Sequence, residues 1–285
     1  MPKISLFVFL LELFRGCSAD LNIGMFMSND LGLVTNVGMN LLLVSAFLSL
    51  VIGTVVGLGQ YRIKRLFAYS TISHVGFLLL ALAISSEESV DAFLFYIVQY
   101  SLTNVNAFFV LLAFGYLINS SVTQSDQLGS RPLHVQGQEY DVQFISQLHG
   151  QFRANPVLGL SLAVCLFSMA GVPPLVGFFA KYTVLYTAIH NGYLFLAVIA
   201  ILSSVVSAGY YLRVIRVIHF SPADPSTNSG SGHGSEVPMS DNTAVLSSVH
   251  SYVISTLTLF VMLFAANPNL LLNSTSIMAL SLYAT

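Results

Sequence analysis

Charge is scarce in this sequence. Asp, Glu, Lys and Arg make up 8% of its 285 residues, against roughly 25% in a soluble domain, while 55% of the residues are hydrophobic. A chain with so few charges cannot cover a water-facing surface, so we expect a lipid bilayer to be its solvent. The net charge of -2 and the absence of any long basic cluster exclude nucleic acid as a main partner.

Cysteine is also rare, since only Cys17 and Cys165 are present. Cys165 lies inside an apolar run, and the pair indicates neither a disulfide framework nor a metal site. The sequence has no Gly-rich phosphate loop, no ligand set for haem or iron–sulfur and no nucleophile constellation. We therefore predict no catalytic, cofactor-binding or metal-binding residue in this chain.

Long apolar runs make up most of the sequence. A helix needs ~20 mostly apolar residues to span a bilayer, so we predict a single all-α integral membrane domain over residues 1–285 with about six full spans. An opening run, residues 4–14, would form half a span. Two polar stretches, 119–156 and 219–247, are predicted to be solvent loops because they cannot bury enough apolar area to fold alone. The full spans are expected at residues 39–59, 66–86, 92–117, 157–189, 193–212 and 244–266.

The span at 157–189 is too long for one straight helix, which would extend ~50 Å. It carries Gly171, Pro173, Pro174 and Gly177 midway, and these residues predict a broken helix. Irregular backbone at membrane depth is tolerated where protein or a water-filled cavity satisfies it, so the break favours a transport site. Packing kinks without a transport role are the alternative.

Basic residues are distributed unequally between the two ends of the predicted spans. One side carries seven of them, and the other carries only Arg15. By the positive-inside rule we expect the first side, with the N-terminus, to face the matrix or cytoplasm and the C-terminus to lie across the membrane. The seven residues are Arg62, Lys64, Arg65, Arg131, Arg153, Arg213 and Arg216.

Lys181 follows the predicted break and precedes more apolar sequence, which places it at membrane depth. A lysine there is costly unless it faces a partner or water, and burial disfavours its charged form, so that it can release a proton. We therefore interpret Lys181 as the leading candidate for proton transfer. The alternative is a lysine that extends from a helix end to the membrane surface.

Ser70, His74 and Lys3 are further candidates. Ser70 and His74 are spaced i, i+4 and share a helix face, which suits a hydrated file or, equally, a hydrogen bond between helices. Lys3 precedes the half-length opening run and on its own could be an ordinary interfacial cation.

Several strings together resemble one known family. They are GQYRIKRLFAYSTISHVGF (59–77), SMAGVPPLVGFFAKY (168–182), the opening PKISLFVFLLEL and the terminal MALSLY. In this combination and order they resemble the subunit 2 family of mitochondrial respiratory complex I, the NADH:ubiquinone oxidoreductase, within the antiporter-like membrane proteins. The resemblance covers nearly all of the chain apart from the two polar loops.

The resemblance implies an antiporter-like bundle of which this chain holds the second half. In the family, a lysine of the eighth helix is the central proton-relay group, and Lys3 matches it. A lysine just after the break in the twelfth helix is the terminal relay group, and Lys181 matches that. His74 and Ser70 would be proton-path groups. The relay residues of the first half have no counterpart, so we expect a separate or missing N-terminal half of the subunit.

The resemblance also implies a proton-translocating subunit in the membrane arm of complex I, in the mitochondrial inner membrane. It would couple NADH oxidation and ubiquinone reduction to proton pumping, with the bilayer and other membrane-arm and accessory subunits as partners. NADH, FMN, iron–sulfur clusters and ubiquinone would be bound by the rest of the complex, and none by this chain. A subunit of a cation/proton antiporter and a non-pumping structural fragment of a membrane complex are the alternatives.

Overall fold

The computed structural model describes residues 2–19, 31–128, 142–220, 248–264 and 268–284. Within these ranges the backbone forms α-helices, one 3-10 helix at Ile145–Leu148, and a single isolated bridge between Arg62 and Phe144. The helices are α1 Pro2–Ala19, α2 Leu31–Leu58, α3 Ile63–Ile84, α4 Glu87–Leu128, α5 Gln151–Ala154, α6 Pro156–Ala170, α7 Val176–His190, α8 Leu194–Phe220, α9 Ser248–Leu263 and α10 Asn269–Ala284.

The predicted all-α membrane fold is confirmed. Four helices in the described part are long and apolar enough to cross a membrane, over Gly38–Leu58, Ile63–Ile84, Glu87–Ile118 and Leu194–Phe220. Shorter apolar helices accompany them. The predicted broken span is present as α6 and α7, which have 15 residues each and are separated by five residues.

Two parts of the chain are helical where the sequence predicted none. The predicted loop at 119–156 begins with the last turns of α4 and, after residues outside the described part, contains Ile145–Leu148 and α5. Val142, Ile145 and Leu148 are buried against the bundle, which explains why this stretch folds. α10 was not predicted, because Asn, Ser and Thr interrupt its apolar residues. The predicted loop at 219–247 lies almost wholly outside the described residues.

α3 is the central helix of the bundle, and 15 of its 22 residues are buried. It packs closely on α2, because Gly53 and Gly76 have no side chain at the contact. A Cβ on Gly53 would lie 2.6 Å from the backbone nitrogen of Ser73, and one on Gly76 would lie 2.8 Å from Leu50. Small residues at such positions let membrane helices approach each other.

The opposite face of α2 is apolar and exposed, as expected for a helix that borders lipid or another membrane subunit. Its exposed residues recur every three or four positions and are Leu41, Val44, Leu48, Ile52 and Val55.

The core has two apolar clusters with buried polar side chains between them. One cluster contains the C-terminal half of α3, the beginning of α4 and the buried apolar residues of α7, and the other contains the beginning of α3, the later part of α4 and the buried apolar residues of α6. Along α3 the polar stretch lies between Phe67 and Phe77, and along α4 it lies between Tyr100 and Ala107. The bundle therefore places hydroxyl, amide and imidazole groups at the middle of the spans.

Candidate functional site

The break between α6 and α7 is built by a left-handed glycine. α6 ends at Ala170, and Gly171 has φ +87°, a conformation that side chains disfavour. The N–H groups of Gly171 and Val172 both donate to the carbonyl of Phe167, at 3.1 Å, which satisfies part of the helix end. The chain then passes through Pro173 and Pro174, joined by a cis peptide, before α7 begins at Val176.

Gly177 lets the beginning of α7 approach the end of α6. A Cβ at this position would lie only 1.8 Å from the carbonyl oxygen of Ser168, so no larger residue fits without moving a helix. Its N–H donates to Ser168 Oγ at 3.2 Å. The two half-helices are therefore fixed against each other at the break.

Lys181 lies one turn after Gly177 and points back at the break. Its side chain is only 7% exposed, and Nζ donates to the carbonyl oxygen of Ala170 at 2.9 Å. This carbonyl belongs to the last residue of α6, where the helix dipole favours a positive charge. Nζ also lies 5.6 Å from the ring centre of Phe77, within reach of a cation–π interaction.

An aromatic contact joins Lys181 to the imidazole of His74. Phe77 stacks on Tyr96 with ring centres 5.9 Å apart. The hydroxyl of Tyr96 lies 2.7 Å from His74 Nδ1. Three helices, α7, α3 and α4, therefore bring these side chains together in the interior of the bundle.

Both nitrogens of His74 are hydrogen-bonded inside the protein. His74 Nε2 lies 3.1 Å from the hydroxyl of Tyr211 on α8, and that hydroxyl also bonds Ser70 Oγ. Tyr100 stacks on the imidazole with ring centres 4.7 Å apart. Because hydroxyl and imidazole groups can each donate and accept, the series Ser70, Tyr211, His74 and Tyr96, which we call the His74 cluster, can relay a proton by exchanging donor and acceptor roles.

Lys3 lies in α1, and its side chain is outside the described part of the structure. The next residue, Ile4, lines a small cleft of about 60 Å³ together with Tyr100, Ser101 and Asn104. This cleft has room for a few water molecules. It borders Tyr100, the residue that stacks on His74.

Sequence reasoning found two of the clustered residues and missed their partners. Ser70 and His74 do share a face, and they meet on one hydroxyl. Tyr96, Tyr211 and Phe77 were not singled out, because an aromatic residue inside an apolar run resembles ordinary core. For the two tyrosines, the phenol in the middle of a span could have indicated a polar site, since a buried hydroxyl needs a hydrogen-bond partner. Phe77 carries no such signal.

Metal binding has no support in the described ranges. No group of three or more His, Cys, Asp or Glu side chains there could hold an ion.

Comparison with known proteins gives consistent matches over most of the chain. The family described as NADH:quinone oxidoreductase/Mrp antiporter, TM, matches residues 19–207. NADH-ubiquinone oxidoreductase chain 2 of Rhizopus oryzae is 51% identical over 99% of this chain and 51% of its own length. NADH-quinone oxidoreductase subunit N of Rhodospirillum rubrum is 37% identical over 70% of this chain and 37% of its own.

Solved structures match the same bundle. A chain of respiratory complex I from Thermus thermophilus with bound aureothin aligns with a TM-score of 0.58 and 26% identity, over 82% of this chain and 45% of that one. A chain of the Mrp complex from Dietzia aligns with a TM-score of 0.65 over 86% of this chain and 47% of that one, at 18% identity, which shows the fold alone.

This chain spans about half the length of the chain 2 relative from Rhizopus oryzae and less of the bacterial relative. The resemblance to complex I subunit 2 is nevertheless confirmed by the 51% identity along nearly the whole chain. The family match runs from residue 19, the last residue of α1, into α8 and includes the broken helix, Lys181 and His74. The chain belongs to the NADH:quinone oxidoreductase/Mrp antiporter transmembrane family.

Proposed function

We propose that this chain is the second-half portion of a proton-translocating subunit in the membrane arm of NADH:ubiquinone oxidoreductase. The observation that carries the proposal is the position of Lys181, a buried lysine whose ammonium bonds the end of a broken helix next to the His74 cluster. Ionisable residues inside a membrane are costly and generally mark ion or proton pathways.

Two opposing effects act on the charge of Lys181. The carbonyl of Ala170, at the negative end of the α6 dipole, favours the ammonium form. Removal from water opposes any charge at this depth. Because these effects partly cancel, a charge that appears or disappears nearby can change the protonation of Lys181. Quinone reduction elsewhere in the complex would supply such a change.

Lys3, His74 and Ser70 complete the proposed relay within this chain. Ile4 and the cleft beside Tyr100 support a water-filled connection between the region of Lys3 and the His74 cluster. Since the Phe77 ring between them carries no exchangeable proton, His74 and its hydroxyl partners would then exchange protons with Lys181 through water beside Phe77. The earlier relay groups would belong to the N-terminal half of the subunit, which would be either a separate chain or a part missing from this sequence.

The remaining expectations follow from membership in the complex. NADH, FMN, iron–sulfur clusters and ubiquinone would be bound by other subunits, and the chain would act in the enzyme without a redox centre of its own. In the mitochondrial inner membrane, the side with seven basic residues would face the matrix together with the N-terminus. With six full spans counted from the sequence, the C-terminus would lie on the intermembrane-space side.

The antiporter alternative shares the fold. Likeness to the Mrp complex supports the bundle but not its partners. The non-pumping fragment gives no reason to keep a buried lysine at the break, where an apolar side chain would avoid the cost of burial.

The experiment that tests the proposal identifies the assembly that contains this chain. Membranes are gently solubilised and separated on a native gel, the gel is stained for NADH dehydrogenase activity, and the stained band is analysed by mass spectrometry. We expect peptides of this chain in a very large, active band, together with peptides of the earlier helices of the subunit. Absence of the chain from every NADH-oxidising band contradicts the proposal, and migration with a cation/proton antiporter favours the alternative.

A further inference from the structure

A second set of buried polar side chains lies between α4 and α6, apart from the His74 cluster. On each helix its members are spaced so that they share one face, and none is more than 5% exposed. We name this set the α4–α6 seam. Its members are Gln99, Thr103 and Asn106 on α4 and Ser161, Cys165 and Ser168 on α6.

Hydrogen bonds connect the two sides of the seam. Gln99 Nε2 donates to Ser168 Oγ at 3.4 Å, and Asn106 Nδ2 donates to Cys165 Sγ at 3.1 Å. A later residue of α4 therefore faces an earlier residue of α6. The seam runs along the antiparallel helix pair from the break toward the beginning of α6.

Two polar atoms of the seam lack a partner. Asn106 Oδ1 and Ser161 Oγ are buried and have no hydrogen bond with any described residue. Their residues are 0% and 5% exposed, so bulk solvent does not reach them directly. An unpaired buried acceptor costs about 1–3 kcal/mol, and internal water is the usual partner where protein supplies none.

The two ends of the seam meet different features. Ser161 lines a groove of about 390 Å³ between α6 and α9, whose wall is mostly apolar but also carries the polar residues Asn155, Ser251 and Ser255. At the other end, Ser168 Oγ accepts the N–H of Gly177. Lys181 follows Gly177 by one helical turn, ~6 Å along the axis.

We propose that a file of water molecules occupies the α4–α6 seam and carries protons between the groove at the beginning of α6 and Lys181. The inference rests on the proposed function and adds a route to Lys181 that does not pass through His74. The seam side chains are uncharged amides, hydroxyls and a thiol, which suits water rather than a resident metal cation. Each transfer between waters forms one O–H bond and breaks one on the neighbouring water, and the last transfer breaks an O–H bond and forms an N–H bond on the neutral amine of Lys181. One proton therefore enters the file for each proton that reaches Lys181.

Two variants of Asn106 separate a water file from simple helix packing. Asn106→Leu keeps the branched shape and the number of side-chain heavy atoms and replaces the amide by bulkier methyl groups, so it should exclude water. Asn106→Ser leaves room for an added water. Because an interrupted file removes hydrogen bonds on which transfer depends, we expect Asn106→Leu to lower the proton-pumping rate of the assembled complex by roughly tenfold. We expect Asn106→Ser to keep most of the rate.

The matched control is Ser203→Ala on α8. Ser203 is also buried, but its hydroxyl donates to Ala200 O within its own helix at 2.8 Å, and it lies outside the seam. It should change the pumping rate little. The second measurement is a high-resolution cryo-electron microscopy map of the unaltered complex, in which we expect water density within hydrogen-bond distance of Asn106 Oδ1 and Ser161 Oγ.

The inference is overturned by a seam without water density, by an Asn106→Leu complex that pumps at the normal rate, or by equal losses in the two Asn106 variants. These outcomes are distinct from failure of the proposed function. If Lys181→Ala leaves pumping intact, the proposed function fails. If Lys181→Ala abolishes pumping and Asn106→Leu does not, only the water file fails.

Discussion

His74 shows how much a single position reveals at the scale of the residue. Its spacing from Ser70 is enough to predict a shared helix face. The sequence does not show that Tyr211, on a helix far along the chain, supplies the hydroxyl that both side chains contact. Partners of this kind depend on how the helices pack, which no local pattern records. The same holds for Ala170, whose backbone carbonyl accepts the Lys181 ammonium.

The Tyr211 hydroxyl gives a prediction at this scale. Tyr211→Phe removes the group that links His74 Nε2 to Ser70 and leaves two buried polar groups short of a partner, which costs about 1–3 kcal/mol. We expect a lower melting temperature and a lower proton-pumping rate in the assembled complex. Tyr182→Phe is the control, because Tyr182 is an exposed tyrosine next to Lys181. Equal behaviour of the two variants would refute a role for the Tyr211 hydroxyl.

The broken helix is the element that the sequence predicts best. Gly171, Pro173, Pro174 and Gly177 interrupt an apolar run that is too long for one helix, and α6 and α7 are separated at these residues. α10 was missed for the opposite reason, since its polar residues hide a helix that nevertheless buries Thr275 and Ala279. A long apolar run is easy to recognise in a sequence, so helices that face lipid are readily predicted. Short helices that pack on a neighbour carry a weaker pattern and are more easily missed.

The contact between the half-helices gives a prediction at the scale of the element. In Gly177→Ala the new Cβ collides with the carbonyl of Ser168, so α7 has to move away from α6. We expect a destabilisation of about 1–3 kcal/mol or more, measured as a lower thermal stability of the solubilised complex. Gly209→Ala on α8 is the control, because its nearest atom would lie 3.9 Å away. Unchanged stability of Gly177→Ala would contradict the close contact.

Composition decides the class of the whole molecule, because a chain with 8% charged residues has to be covered by lipid or by other apolar surfaces. The antiporter-like bundle came from motif resemblance, since hydropathy alone gives spans without their arrangement. The position of the buried polar side chains between the two apolar clusters depends on how the helices pack, and the sequence alone does not reveal it. The chain spans about half the length of its chain 2 relative from Rhizopus oryzae.

The most direct measurement is the rate of proton pumping by the assembled complex carrying Lys181→Ala, in sealed vesicles that oxidise NADH. Lys64→Ala is the control, because Lys64 is an exposed lysine at the beginning of α3. We expect the Lys181 variant to lower the rate of proton pumping by roughly tenfold or more, since a relay group is removed and no neighbour replaces it. The control should pump normally. Full pumping by the Lys181→Ala complex would contradict the central claim that protons pass through this chain at the broken helix.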